Sequence, residues 1–365
     1  MTKHLAHHAV ASAARPTSAR TRVLAATTIG AMALVVSPAL PAVAGAAVPA
    51  TARAGSPHVA MAPHAALALA QPAGKFTPRN CTEASGSASC DLYAMSGSTS
   101  ILGSSVPIWG FSTTGAVGSA TDPGPVLVVQ QGDAVTVTLH NQLSEPVSLA
   151  FPGQSGITYA GGSGDDMSGA AANGTRTYTF TADRPGTFLY EAGHTTDGTR
   201  QVQMGLAGAL VVLPPDGTAY GVSSTAYADE AVVVLSEIDP RLNANPAGFD
   251  MRDFKPAYRL INGKPFPASD PISTDQGHTV LLRYVNAGSQ THSMSLLGAN
   301  QVEIAQDGHR SQFTTTVTAE SITPGMTLDT LVQMPSGPES KIALYENAQH
   351  LDNNGQNNGD PSQVA

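Results

Sequence analysis

The chain has 365 residues, of which 12% are charged and 5% aromatic, with 36 glycines, 26 prolines and a formal net charge of −9. This length allows two or three domains, and the glycine and proline content suits many short segments joined by turns. The acidic balance argues against nucleic-acid binding, the low charge content excludes a charge-rich coiled coil, and apolar residues scattered in short runs exclude a polytopic membrane protein.

The first 44 residues read as an export signal. Lys3, Arg15, Arg20 and Arg22 form a basic start without acidic residues. An apolar run follows from Val23 to Leu40, and Ala42-Val43-Ala44 has the form of a small-residue cleavage site. Pro38 and Pro41 interrupt the run, which is short for a membrane span. The expectation is a secreted chain with no span left after cleavage. Losing four basic residues makes the mature chain more acidic still. Residues 45–75 are dominated by Ala, Pro and His without alternation and are expected to be a disordered linker. His4, His7 and His8 fall in the signal, and His58 and His64 in this linker.

Cys81 and Cys90 are the only cysteines. In an exported chain they most simply form one disulfide; the alternative is a pair of free thiols. If they are bridged, no thiolate remains for a nucleophile, a zinc site or a blue-copper centre.

From about Phe76 the chain is written in strands. Val126–Gln130 enters a Gln131-Gly132-Asp133 turn, Ala134–His140 and Thr175–Phe180 alternate apolar and polar residues, and Gly186–Tyr190 and Ala209–Leu213 are bounded by Gly and Pro. A second set comprises Ala231–Leu235, Tyr258–Ile261, Thr279–Asn286, Ser293–Leu297, Leu328–Val332 and Lys341–Tyr345. No stretch keeps a helical period over a dozen residues. The halves share a pattern: Gln131-Gly132-Asp133 through Asn141 compares with Gln276-Gly277-His278 through Asn286, and Arg184-Pro185-Gly186 with Thr323-Pro324-Gly325. This weak internal repeat implies two copies of one sandwich. The expected division is residues 76–218 and 219–352, broken near Pro214-Pro215-Asp216-Gly217 and followed by a polar tail at 353–365.

From Ile108 to Asp352 this two-halved pattern resembles the multicopper oxidases. The resemblance rests on Pro125–Asp133, on Leu260-Ile261-Asn262-Gly263-Lys264-Pro265-Phe266-Pro267, and on Gly186–Tyr190 with Met204–Val212. It implies an all-β fold of two cupredoxin-like Greek-key sandwiches. It also implies copper, held in that family by a Cys-containing type 1 site and by His-x-His pairs. Here the ligand motifs are degenerate. Where His-Trp-His-Gly is expected the chain reads Ala150-Phe151-Pro152-Gly153. Where Tyr-His-x-His is expected it reads Tyr190-Glu191-Ala192-Gly193-His194. The third motif keeps His292 but has Ser295 and Leu297 at its later ligand positions, and the fourth, normally His-Cys-His, reads Glu346-Asn347-Ala348, with His350 just beyond.

The residual metal candidates are His292 with His350, supported by Glu346 or Asp352 as a type 2-like copper site, and His194 with Glu191 and Met204. Against them stand plain roles: a hydrogen-bonded strand-end histidine, a surface histidine and a methionine filling the core. Asp165-Asp166 offers a cation pair or a solvated turn, and Asn173-Gly174-Thr175 has the form of a glycosylation acceptor. No Gly-x-Ser-x-Gly, His-Glu-x-x-His or phosphate loop occurs. Two functions follow as expectations. One is a secreted, non-catalytic binding or structural module that kept the scaffold, lost its copper and recognises an envelope or extracellular protein. The other is a copper-binding protein or copper-dependent oxidoreductase using His292 and His350.

Overall fold

The computed structural model describes residues 79–337 and 341–348. The signal, the linker, His350, Asp352 and the polar tail lie outside the described residues. The first group of strands is β1 (Thr82–Ala84), β2 (Ser87–Ile101), β3 (Ser104–Ser112), β4 (Leu127–Gln130), β5 (Ala134–Asn141), β6 (Leu149–Ala150), β7 (Thr158–Tyr159), β8 (Gly162–Ser163), β9 (Thr175–Thr181), β10 (Gly186–Ala192) and β11 (Ala207–Leu213). The second is β12 (Asp229–Ile238), β13 (Tyr258–Ile261), β14 (Thr279–Asn286), β15 (His292–Leu297), β16 (Gln301–Gln306), β17 (His309–Val317), β18 (Ala319–Ile322), β19 (Thr327–Gln333) and β20 (Ala343–Glu346). Two short helices, α1 (Gly198–Gln203) and α2 (Pro240–Ala244), lie in connections. At six and five residues they are too short to leave a sequence period.

Each group makes two sheets. In the first, the order β1-β2-β5-β9-β7-β8, with β3 on β2, faces a sheet of order β4-β11-β10-β6. In the second, β13-β12-β14-β19-β16-β17 faces β18-β15-β20. Alternation decides which side chains fill each core. Val135, Val137 and Leu139 on β5 point inward with Phe151, Tyr178 and Phe180, and Val280, Leu282 and Tyr284 on β14 do the same with Met294 and Leu328. β2 escapes a sequence reading because it is built from Ser, Gly and Ala. Its inward positions, Ala88, Cys90, Leu92 and Ala94, still alternate strictly. Cys81 and Cys90 are disulfide-bonded across the β1–β2 hairpin, as expected.

The repeat is structural. At the end of β5 the Asn141 side chain donates to Glu145 O (2.7 Å) and accepts from Leu143 N (2.9 Å). At the end of β14 the Asn286 side chain donates to Gln290 O (2.8 Å) and accepts from Gly288 N (2.9 Å). The same spacing reuses the same local bonds, which close a turn that backbone groups alone leave unsatisfied. The comparison of the two Pro-Gly turns is out of step. Pro185-Gly186 leads into β10, whereas Pro324-Gly325 leads into β19, which pairs with β14 as β9 pairs with β5.

The two sandwiches meet through the outer face of the β4-β11-β10-β6 sheet. Val128, Leu189, Ala209 and Val211 pack there on Val232, Val234 and Val285. Gly186, at φ +145°, comes so near Gly308 and Tyr220 that a Cβ would lie 2.9 Å from the Gly308 Cα. Next to this apolar seam sits a fully buried guanidinium. Arg283 Nε donates to Glu230 (2.8 Å), and Nη1 donates to Thr187 Oγ1 (3.1 Å) and to Asp329 (3.3 Å). Thr187 and Tyr220 hydroxyls both donate to Asp329, and Thr327 Oγ1 donates to Thr187 O (2.7 Å). Burial opposes the charge on Arg283, but Asp329 and Glu230 outweigh it and hold the guanidinium protonated. Replacing Arg283 by Ala strands two buried carboxylates, so Arg283→Ala is expected to cost about 3–5 kcal/mol, read as a lower urea midpoint in equilibrium unfolding.

Candidate functional site

The sharpest sequence candidate, His292, opens β15 and is 1% exposed. Its Nε2 is 2.9 Å from Glu237 Oε1, and its Nδ1 is 3.6 Å from Glu346 Oε2. Glu237 comes from β12, a strand buried along its whole length, and Glu346 ends β20. Three strands of the second sandwich, distant in sequence and drawn from both its sheets, thus converge on one imidazole.

The loop after Asn286 wraps Glu237. Ser289 N and Gln290 N donate to its two carboxylate oxygens at 2.7 and 3.1 Å. Gly288 makes this approach possible, because a Cβ there would strike the carboxylate. Glu346 in turn accepts from Ser293 N (3.0 Å) and Ala348 N (3.2 Å).

These contacts set the charges. Burial favours neutral imidazole, but the hydrogen bonds and charges of Glu237 and Glu346 outweigh it and raise His292 to about 9. Burial also raises Glu237, and the His292 and backbone N–H bonds overcome that and lower it. Asp122, from the first sandwich, is pushed up to about 6 by burial and then by the Glu237 charge. The arrangement is an imidazolium between two carboxylates, with a third carboxyl held closer to neutrality at the junction. Glu237 carried a signal in the sequence: an acid in the run Ala231–Ile238 has no reason to be buried without a partner. Its partner, 55 residues on, could not be read from spacing.

The first sandwich treats its candidates differently. His194 lies at the surface, its side chain 74% exposed, with Nδ1 2.9 Å from Asp165, also well exposed. Such a pair contributes little. Met204 caps the C-terminal end of α1 and is 1% exposed, within the core, while its carbonyl accepts from Trp109 N (2.9 Å). Burial raises the Glu191 carboxyl, and the charge of His194 opposes this.

Asp166 is not a solvated turn residue. It is fully buried, receives two Arg176 bonds at 2.7 Å and one from the Tyr178 hydroxyl at 2.8 Å, and is held well below the usual carboxylate range. Burial raises it, and the Arg176, Gly169, Tyr178 and Ser168 bonds overcome that. Among the described residues no group of three or more His, Cys, Asp or Glu is placed to hold a metal ion. No helix among them is long and apolar enough to cross a membrane.

Comparison with known proteins agrees with this architecture. Residues 112–217 match the family model described as multicopper oxidase. The chain is 34% identical over 119 residues to the copper-containing nitrite reductase of Alcaligenes xylosoxydans xylosoxydans, covering 32% of this chain and 34% of that protein. It is 41% identical over 100 residues to the L-ascorbate oxidase of Cucurbita pepo var. melopepo, covering 26% and 17%. The matched part therefore spans about a third or less of those relatives. Among solved structures, the blue copper oxidase from Nitrosomonas europaea superposes with a TM-score of 0.63 at 22% identity, over 73% of this chain and 81% of that one. The copper nitrite reductase from the same organism gives 0.55 at 21%, over 72% and 88%. The fold is a pair of cupredoxin-like sandwiches. The resemblance to the multicopper oxidases is borne out, and the chain is multicopper oxidase-like.

The His292 geometry makes a pH-dependent contribution to stability. A histidine raised from 6.5 to about 9 stabilises the fold fully below its unfolded pKa, and that contribution is lost as pH rises through about 9. The unfolding free energy of the wild-type chain is therefore expected to fall by about 2–3 kcal/mol between pH 7 and 10, and its Tm with it. In His292→Gln this slope should be absent, as differential scanning calorimetry across that range can check.

Proposed function

We propose that this chain is an exported, multicopper oxidase-like protein that retains the cupredoxin scaffold without copper redox chemistry and serves as a non-catalytic binding or structural module. The observation that carries this reading is the setting of His292. A copper ligand must offer a lone pair from neutral imidazole, whereas both ring nitrogens of His292 face carboxylates in a site that favours the imidazolium.

The donor set supports the same reading. Both cysteines of the chain are joined to each other, so no thiolate is available for a type 1 centre. His194 is tied to Asp165 at the surface, and Met204 is packed in the core. The described residues do not fit copper, and no electron-transfer step is assigned to them. Export rests on the basic, apolar and Ala42-Val43-Ala44 pattern of the first 44 residues.

The test is metal content with spectroscopy on residues 45–365, purified from a copper-supplemented culture. The expected result is far less than one copper per chain, with no visible band and no EPR signal. Stoichiometric copper whose EPR signal disappears in His292→Ala or His350→Ala overturns the proposal and establishes a copper-binding protein instead.

A further inference from the structure

Strand β17, last in the order of the larger sheet of the second sandwich, does not run evenly along β16. Gln306 pairs with His309 and Ala305 with Arg310, and past an irregularity Glu303 pairs with Thr315. The stretch Ser311–Thr314 therefore stands against Ile304 alone. A bulge of this kind bends its strand and re-aims side chains, and bulges gather at sheet edges and beside functional sites.

Protecting the edge of a sheet accounts for a bulge, but not for what this one displays. Phe313 is 82% exposed, whereas every other described phenylalanine is buried or half-buried. The residues that follow it are Thr314, Thr315 and Thr316, a type that suits an exposed strand. A phenylalanine here keeps a large apolar ring in water, which a threonine would avoid.

The bulge forms one wall of a groove of about 350 Å³, and the turn Ser223–Thr225, in the connection between the sandwiches, forms another. That is the size of a small-molecule site. Ile304, 1% exposed, lines the groove from the core, and Phe313 lines it with the polar side chains of Gln312, Thr314 and Ser224. Arg310, at the start of the bulge, is exposed and lines it as well. Its Nη1 donates to Ser311 O at 3.4 Å, a long bond that engages one donor of the guanidinium fork. Among the described residues no carboxylate lines the groove, so Arg310 makes it positive in a chain of formal net charge −9.

We propose that this groove binds an acidic sugar unit of a glycan. The C–H face of a pyranose ring packs on Phe313, whose aromatic face is the negative side of its quadrupole. The sugar carboxylate takes the planar fork of Arg310. The ring hydroxyls exchange hydrogen bonds with Ser224, Gln312 and Thr314, whose side chains both donate and accept. A neutral sugar leaves the guanidinium without a counter-charge. An aromatic acid satisfies Phe313 and Arg310 but turns bare hydrocarbon toward the hydroxyls and the amide. A carboxylated sugar meets all three kinds of group. This deepens the binding-module reading by naming a ligand class, and its readout does not depend on copper.

The test titrates residues 45–365 with a linear trimer of uronic acid residues by isothermal calorimetry. Saturable binding is expected. The same trimer with its carboxylates reduced to alcohols should bind about tenfold or more weakly. Phe313→Ala and Arg310→Gln, both at exposed positions, should each weaken the acidic trimer about tenfold or more while the Tm stays that of the wild type.

No saturable binding, equal affinity for the acidic and the reduced trimer, or affinity unchanged in both variants overturns the proposal. So does a Glu-rich peptide that binds more tightly than the trimer and is lost in the same variants, because it gives the groove to a polypeptide. Copper in the purified chain sinks the copper-free reading and leaves the groove standing; failure of the uronic acid trimer does the reverse.

Discussion

Arg283 is the constraint on which the pairing of the two sandwiches depends. A guanidinium with no solvent access needs counter-charge and hydrogen-bond acceptors at fixed positions, and it finds them on both sides of the junction: Glu230 and Asp329 within its own sandwich, Thr187 on β10 of the other. Apolar packing of Val128, Val211, Val232 and Val285 is non-directional and would tolerate sliding. The Arg283–Thr187–Asp329 network does not, because its buried hydrogen bonds are directional and are lost on displacement. It therefore fixes how β10 lies against β14 and β19, and with that the position of Asp122 near Glu237.

The His292 site follows the same economy of buried charge. In a metal site a buried imidazole presents a ring nitrogen to a cation. Here the charge is on the ring itself, and the surroundings are anionic: Glu237, braced by two backbone N–H groups, and Glu346, braced by two more. The same position can be electron donor or cation, depending only on whether carboxylates replace the metal.

The halves also show how a repeated architecture diverges without losing its frame. Asn141 and Asn286 make the same capping bonds, and the strands they terminate hold the same register to their neighbours. Yet among the described residues one sheet continues from β10 to β11 and β4, whereas β20 pairs with β15 alone. A β-sandwich tolerates that difference because its remaining inward residues, Val280, Leu282, Met294 and Leu328, still bury one another.

Much of this was legible in the sequence. Alternation in Ala134–His140, Thr175–Phe180 and Thr279–Asn286 defined strands, since a half-buried strand must place apolar residues every second position. The repeated Gln-Gly turns announced two copies of one unit, and two cysteines nine residues apart announced a disulfide. The oxidase resemblance was equally open to reading. β2 was hidden by its small residues, and α1 and α2 by their shortness. What only the tertiary structure decided was the partner of each buried charge. Glu237 meets His292 across 55 residues, Arg283 meets Thr187 across 96, and Asp166 turns inward to Arg176 while its neighbour Asp165 faces solvent. Periodicity reports which face of a strand is dry. Which charge a dry residue meets depends on the pairing of strands distant in the chain, and no local pattern encodes that.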